Sequence, residues 1–326
     1  MDILEHQHVA SVTADFPVAF SAQFSEGRLY VAYYNPDRHL TIGCRLTDGS
    51  WEHEALPTQV GWDSHCSIVM AIDREGCIHV SGNMHCVPLV YFLSKQPHDI
   101  HSFEQVRTQV SVERETRCTY PRLIVGPDDA IIFSYRDGGS GKGSTIVNRY
   151  DASSRTFTRL SDQPLFDGLS EMSAYQSGPT RGPDGRYHLV WVWRNTPHCE
   201  TNHDLSYAVS EDMVHWSSRD GQAYELPITP RADQFIVDPI PPGGGTINGG
   251  SALGFDPDHN PVLAYHKYDD DGKTQAFIAR WESGWVTTQI SAWSHRWDFN
   301  GPGSIENEVQ IGRPNYATDG EIVVPY

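Results

Sequence analysis

The stretch PDGRYHLVWVWR, residues 183–194, joins a Pro-Asp-Gly turn to a run of large apolar and aromatic residues. The turn presets a tight reversal, and the run favours extended backbone. The same arrangement recurs as GRLYVAYY (27–34), GCIHVSGN (76–83), DAIIFSYRD (129–137), NPVLAYHKY (260–268) and GEIVVPY (320–326). Each copy follows Asp/Gly/Asn punctuation: SEG, DREG, PDD, PDG or PDHN. Hairpins repeating at intervals of roughly 50 to 75 residues predict a radial array of small sheets, an all-β β-propeller. The widest interval leaves room for an irregular blade around QAYELPITPRADQFIVDPIP (222–241), which brings the expected count to seven. Recurrence without a linker or a shift in composition predicts a single domain over 1–326, closed by a strand from HVASVT (8–13).

Composition narrows the functions. Of 326 residues, 38% are hydrophobic and the mean hydropathy is −0.47, which suits a water-facing globular chain with a sizeable core. The longest apolar runs are far shorter than the roughly 20 residues that cross a bilayer. The first residues lack a basic start followed by an apolar stretch, the pattern of a cytoplasmic chain, with secretion the alternative if a leader has been removed. A formal charge of −18 argues against nucleic acid and anionic membranes, so an anionic ligand needs a local cationic pocket. Cys44, Cys66, Cys77, Cys86, Cys118 and Cys199 form no C-x-x-C pair and read as reduced thiols, not as zinc or disulfide positions.

Propellers gather residues from the ends of inner strands onto one face. Residues at equivalent positions are His65, His85, Tyr120, Arg136, Tyr175, Gln176, His203 and His266. Taken singly, each has a structural explanation: a hydrogen-bonded strand histidine, a core tyrosine, an Arg136–Asp137 turn pair. The glycines of RDGGSGKG (136–143) lack the order of a phosphate loop and serve a turn. Convergence of several such residues is what points to a site.

GWDSHCSIVMAIDREGCIHVSGNMHCVPLVYFLS (61–94), TYPRLIVGPDDAIIFSYRDGGSGKGSTIVNRYD (119–151) and TNHDLSYAVSEDMVHW (201–216) resemble the BNR-type propeller polysaccharide lyases, which include ulvan lyases and rhamnosyl-α-1,4-glucuronate lyases. The segments 248–281 and 290–305 look closer to the rhamnosyl-glucuronate branch. The resemblance implies β-elimination at a 4-linked uronate, with His65, His85, Tyr120 and Arg136 at the catalytic positions. It places Tyr175, Gln176, His203, His266 and Arg296 as substrate contacts. It implies a monomer acting on an anionic uronate glycan with no required cofactor or catalytic metal, and it allows a structural calcium in the central channel.

The residue types suit that chemistry. Removing the weakly acidic C5 proton requires the sugar carboxylate to be neutralised, and Arg136 can do so through two parallel bonds. Tyr120 and His85 suit the proton transfers, with His65 holding the carboxylate or sharing the base role. Two alternatives stand beside this reading. SEDMVHW (210–216) resembles a degenerate Asp-box, so a sialidase-like or rhamnosidase-type hydrolase could recruit Asp63, Asp137, Glu171 or Glu200. A non-catalytic sugar-binding propeller could use its nine Trp and fifteen Tyr as platforms.

Overall fold

The computed structural model describes residues 6–14, 16, 18–317 and 320–326. The chain divides into two compact units, Met1–Gly138 with Ile146–Leu160, and Gly139–Thr145 with Ser161–Tyr326. The fold is the expected all-β propeller type, its strands gathered into small antiparallel sheets with, among the described residues, only short 3-10 turns as helix.

In the first unit, Ser21–Ser25, Arg28–Tyr34, His39–Arg45 and Trp51–Gln59 form one antiparallel meander. Val69–Ile72, Ile78–Ser81, Tyr91–Ser94 and Phe103–Gln105 form a second. His85–Val87 leaves that order and pairs with Cys118–Val125, which pairs in turn with Ile131–Gly139. Alternation drives the packing: Tyr30, Ala32 and Tyr34 of one strand join Leu40, Ile42, Ile78, Val80 and Phe92 in a continuous core. Each large side chain so buried contributes about 1.5–3 kcal/mol.

The second unit holds the sheet built on Ser173–Arg181, Tyr187–Arg194 and Asn202–Ser210, the meander Ser251–Phe255 to Trp285–Gln289, and the two-stranded pair Asn315–Tyr316 with Ile322–Val323. All eight residues of Tyr187–Arg194 are buried, which explains why that run is nearly continuous in apolar residues. The degenerate Asp-box is structural. The Asp212 carboxylate accepts the Val214 and His215 N–H groups, and the Trp216 indole donates to the Met213 carbonyl.

Two expectations are corrected. The described residues form six sheets, not seven, because segment 222–241 makes no blade of its own: Ala223–Tyr224 and Ile236–Asp238 add to the sheet of Asn202–Ser210. Its strands are two and three residues long, and its prolines remove ladder donors. Nor does HVASVT form a strand, so it supplies no closing pair. All six cysteines are free.

A matched polar device braces each unit. Beneath the DREG turn, the His79 Nε2–H donates to Asp73 (3.1 Å) while the Tyr91 hydroxyl donates to Nδ1 (2.7 Å). Beneath PDG, the His188 Nε2–H donates to Asp184 (2.9 Å) and the Tyr207 hydroxyl to Nδ1 (2.5 Å). Burial lowers both histidines from their ordinary value of 6.5, against the pull of their aspartates, and burial likewise lowers His266 to about 4. The unfolded chain therefore takes up these protons first. Their stabilisation is present above about pH 6.5 and is lost as the pH falls toward the folded-state values. Thermal unfolding between pH 5 and 8 is expected to show the midpoint dropping on the acid side; a flat profile would contradict it.

Candidate active site

Four expected residues meet in the first unit. The strand His85–Val87 places His85 opposite Thr119, and Thr119 opposite Arg136, so His85 and Arg136 flank one strand on a single cross-strand row. A register shift follows Thr119, and Tyr120 adopts φ +56° immediately before Pro121. A left-handed residue is uncommon outside glycine, and a bulge re-aims the side chain it carries. Here the Tyr120 ring is turned under the Arg136 guanidinium, 4.9 Å from its centroid, and lies 6.0 Å from the His65 ring. Arg136 is only 5% exposed and also donates to the Cys86 sulfur at 3.8 Å. Arg122, two residues beyond Tyr120, is a second cation beside it: burial lowers this guanidinium and the Tyr120 phenol opposes the shift. The glycine-rich turn does what its simplest reading says, with Gly141 at φ +74° closing the hairpin.

The His65 and His85 rings stack at 4.2 Å. One carboxylate serves both: the His65 Nδ1–H donates to Asp63 Oδ1 at 2.7 Å and the His85 Nδ1–H to Oδ2 at 2.6 Å. Burial acts to raise Asp63, but the His65 backbone N–H and the two imidazoles outweigh it and hold the carboxyl at about 2. Asp63 is the residue the sequence reading undervalued. Its only signal was the DSH spacing, which lets an Asp accept the backbone and side chain of the residue two ahead. With both Nδ1 atoms engaged, Nε2 is the nitrogen each histidine has for a ligand.

Among the described residues, Asp63, His65 and His85 are also the cluster whose donor atoms lie within 4.8 Å of one another. Two imidazoles and one carboxylate suit a transition metal better than calcium, which takes six to eight oxygens. A metal at their centre would have to displace both hydrogen bonds to Asp63.

The remaining expected contacts lie in the second unit. Tyr175 and Gln176 are neighbours on Ser173–Arg181; the Tyr175 hydroxyl bonds Ser140 at 2.5 Å, and its ring lies 5.2 Å from the Arg194 guanidinium. His203 lies between the Asp204 carboxylate and the Asn195 side chain, 2.7 Å from each. Arg296 covers the Tyr268 ring at 3.8 Å and donates to the Gly272 carbonyl. His266, expected at the substrate, is fully buried: its Nδ1–H donates to Gly245 O at 2.9 Å and its ring packs 5.4 Å from Trp297. Its place is in the packing of the Gly245 turn, not at a surface a glycan can reach.

The profile of the BNR repeat-containing family matches residues 28–293, most of the chain. The protein belongs to the BNR repeat-containing family. No curated protein matches it. Among solved structures it is similar to polysaccharide lyase Uly1, with TM-score 0.71 and 15% identity over 99% of this chain and 89% of that one. It is also similar to a PL25 ulvan lyase bound to -[GlcA(1-4)Rha3S]-, with TM-score 0.65 and 19% identity over 88% of this chain and 75% of that one. At these identities the likeness speaks for the fold.

Proposed function

We propose that this BNR-family protein is a polysaccharide lyase that cleaves a 4-linked uronate by β-elimination, its substrate a rhamnosyl-α-1,4-glucuronate glycan. The observation that carries this reading is the contact chain Asp63, His65 with His85, Tyr120 and Arg136, which joins an anion receiver to proton-transfer groups in one cluster. The two similar structures named above are both lyases, one holding a glucuronate-rhamnose ligand, which supports the substrate class.

In the proposed reaction Arg136 neutralises the sugar carboxylate, making the C5 proton acidic enough to remove. A base takes that proton, the electron pair becomes the C4=C5 double bond, the C4–O bond breaks, and the departing oxygen receives a proton. The Tyr120 hydroxyl, on a ring held beside the Arg136 guanidinium, suits the base role and then the return of the proton. The stacked histidines present their Nε2 atoms beside it, where one can steady the carboxylate and the other can serve the leaving oxygen.

A hydrolase fits less well. Its general acid needs a carboxyl held protonated near neutrality, whereas Asp63 is held at about 2 and Asp137 is paired with Arg114 at 3.1 Å. Incubation with a rhamnosyl-glucuronate glycan is expected to release a conjugated uronate that absorbs in the ultraviolet; saturated products only would refute the lyase reading. Arg136→Lys keeps the charge and loses the two-pronged grip. It is expected to lower turnover about 100-fold or more, roughly 3 kcal/mol of transition-state stabilisation. Near wild-type turnover in a folded Lys variant would remove Arg136 from the mechanism.

A further inference from the structure

Beside the catalytic cluster stands an aromatic side chain that neither the core nor the proposed reaction uses. Trp62 precedes Asp63 directly, so its Cα lies about 3.8 Å from that of the residue holding both histidines, yet it is 65% exposed. Single exposed apolar residues are common on protein surfaces and need no function. Trp62 differs in being held in place. Phe16 meets it edge-on at 5.6 Å and meets Tyr34 at the same distance, which ties the indole to the core of the first sheet. The Arg38 guanidinium lies 5.5 Å from the indole centroid.

Arg38 is itself pinned. Its N–H donates to Asn35 O at 2.7 Å, its carbonyl accepts the Val60 N–H at 2.9 Å, and it occupies a left-handed turn at φ +63°. The fold therefore holds an exposed indole, one residue from Asp63, beside a half-buried guanidinium, in a protein whose net charge is −18. An indole face accepts a pyranose ring, and an arginine accepts a carboxylate or a sulfate ester. A cation in a chain of net negative charge also favours where an anionic chain can run.

The geometry points to a glycan subsite formed by Trp62 and Arg38, which binds a sugar of the same anionic chain adjacent to the one being cleaved. The subsite stacks that sugar on Trp62 and pairs its carboxylate or sulfate with Arg38. This rests on the uronate-lyase reading for the identity of the chain, but the subsite can be tested by binding alone. It assigns Trp62 and Arg38 to affinity for longer substrates, not to proton transfer.

The experiment compares wild type, Trp62→Ala, Trp62→Phe and Arg38→Gln on a rhamnosyl-glucuronate tetrasaccharide and octasaccharide, with thermal unfolding as the check on folding. Trp62→Ala is expected to raise KM for the octasaccharide about 5- to 20-fold, the effect of one lost aromatic platform. The rise for the tetrasaccharide should be smaller, and Trp62→Phe should recover most of the loss. Arg38→Gln is expected to raise the octasaccharide KM about 3- to 5-fold and to flatten its dependence on ionic strength. Octasaccharide KM values within twofold of wild type in both folded variants would overturn the subsite. If wild type releases no ultraviolet-absorbing product, the lyase reading fails, and calorimetric binding of the octasaccharide decides the subsite instead. Weaker binding by Trp62→Ala would uphold it and unchanged binding would overturn it.

Discussion

Tyr120→Phe is expected to lower elimination about 100- to 10,000-fold, the range for losing a general acid or base, while changing stability by little. The ring stays, so its packing under Arg136 and against His65 survives. If the tyrosine served packing alone, the variant would keep its activity and lose at most about 1–2 kcal/mol of stability with the hydroxyl. Parallel kinetics and thermal unfolding separate these outcomes, and an active Phe variant would hand the proton to the histidines. The same measurements on His65→Ala, His85→Ala and the double variant are expected to show losses that do not add, because groups acting in one step fail together.

Asp63→Asn is the second large effect. The carboxylate accepts from two Nδ1–H groups at 2.7 and 2.6 Å; an amide offers one acceptor oxygen and a donor nitrogen. One imidazole must then either lose its bond or move its proton to Nε2, which removes the lone pair it presents to substrate. A loss of about 100-fold or more is expected, as when any orienting carboxylate of a working histidine becomes an amide. A merely structural role would lower the unfolding midpoint and leave the turnover of the folded variant unchanged. An Asn variant with wild-type turnover would reduce Asp63 to a loop brace.

Much of this architecture is legible in the sequence because it is local. A turn of Asp, Gly and Pro followed by a run such as IIFSYR specifies a hairpin from its own residues, and Tyr120 and Arg136 fall on adjacent strands because one such hairpin joins them. The partnership of Asp63 with His85 spans 22 residues and joins a loop to a strand, and nothing local announces it. His266 misled for a related reason: it stands in a copy of the repeat equivalent to the others, but the Gly245 turn covers it, and burial depends on what packs above a strand. Segment 222–241 carries the punctuation of a blade with strands too short to pair among themselves, so they attach to an existing edge.

The left-handed backbone at Tyr120 bears on how this chain can change. A side chain there carries a conformational penalty on the order of 1–3 kcal/mol that glycine would avoid. Screening variants for heat resistance alone would therefore favour discarding the tyrosine, and libraries selected that way should accumulate folded, robust and inert proteins altered at this one position. Thermal hardening of this scaffold calls for holding residue 120 fixed and seeking gains in the hairpin turns far from it.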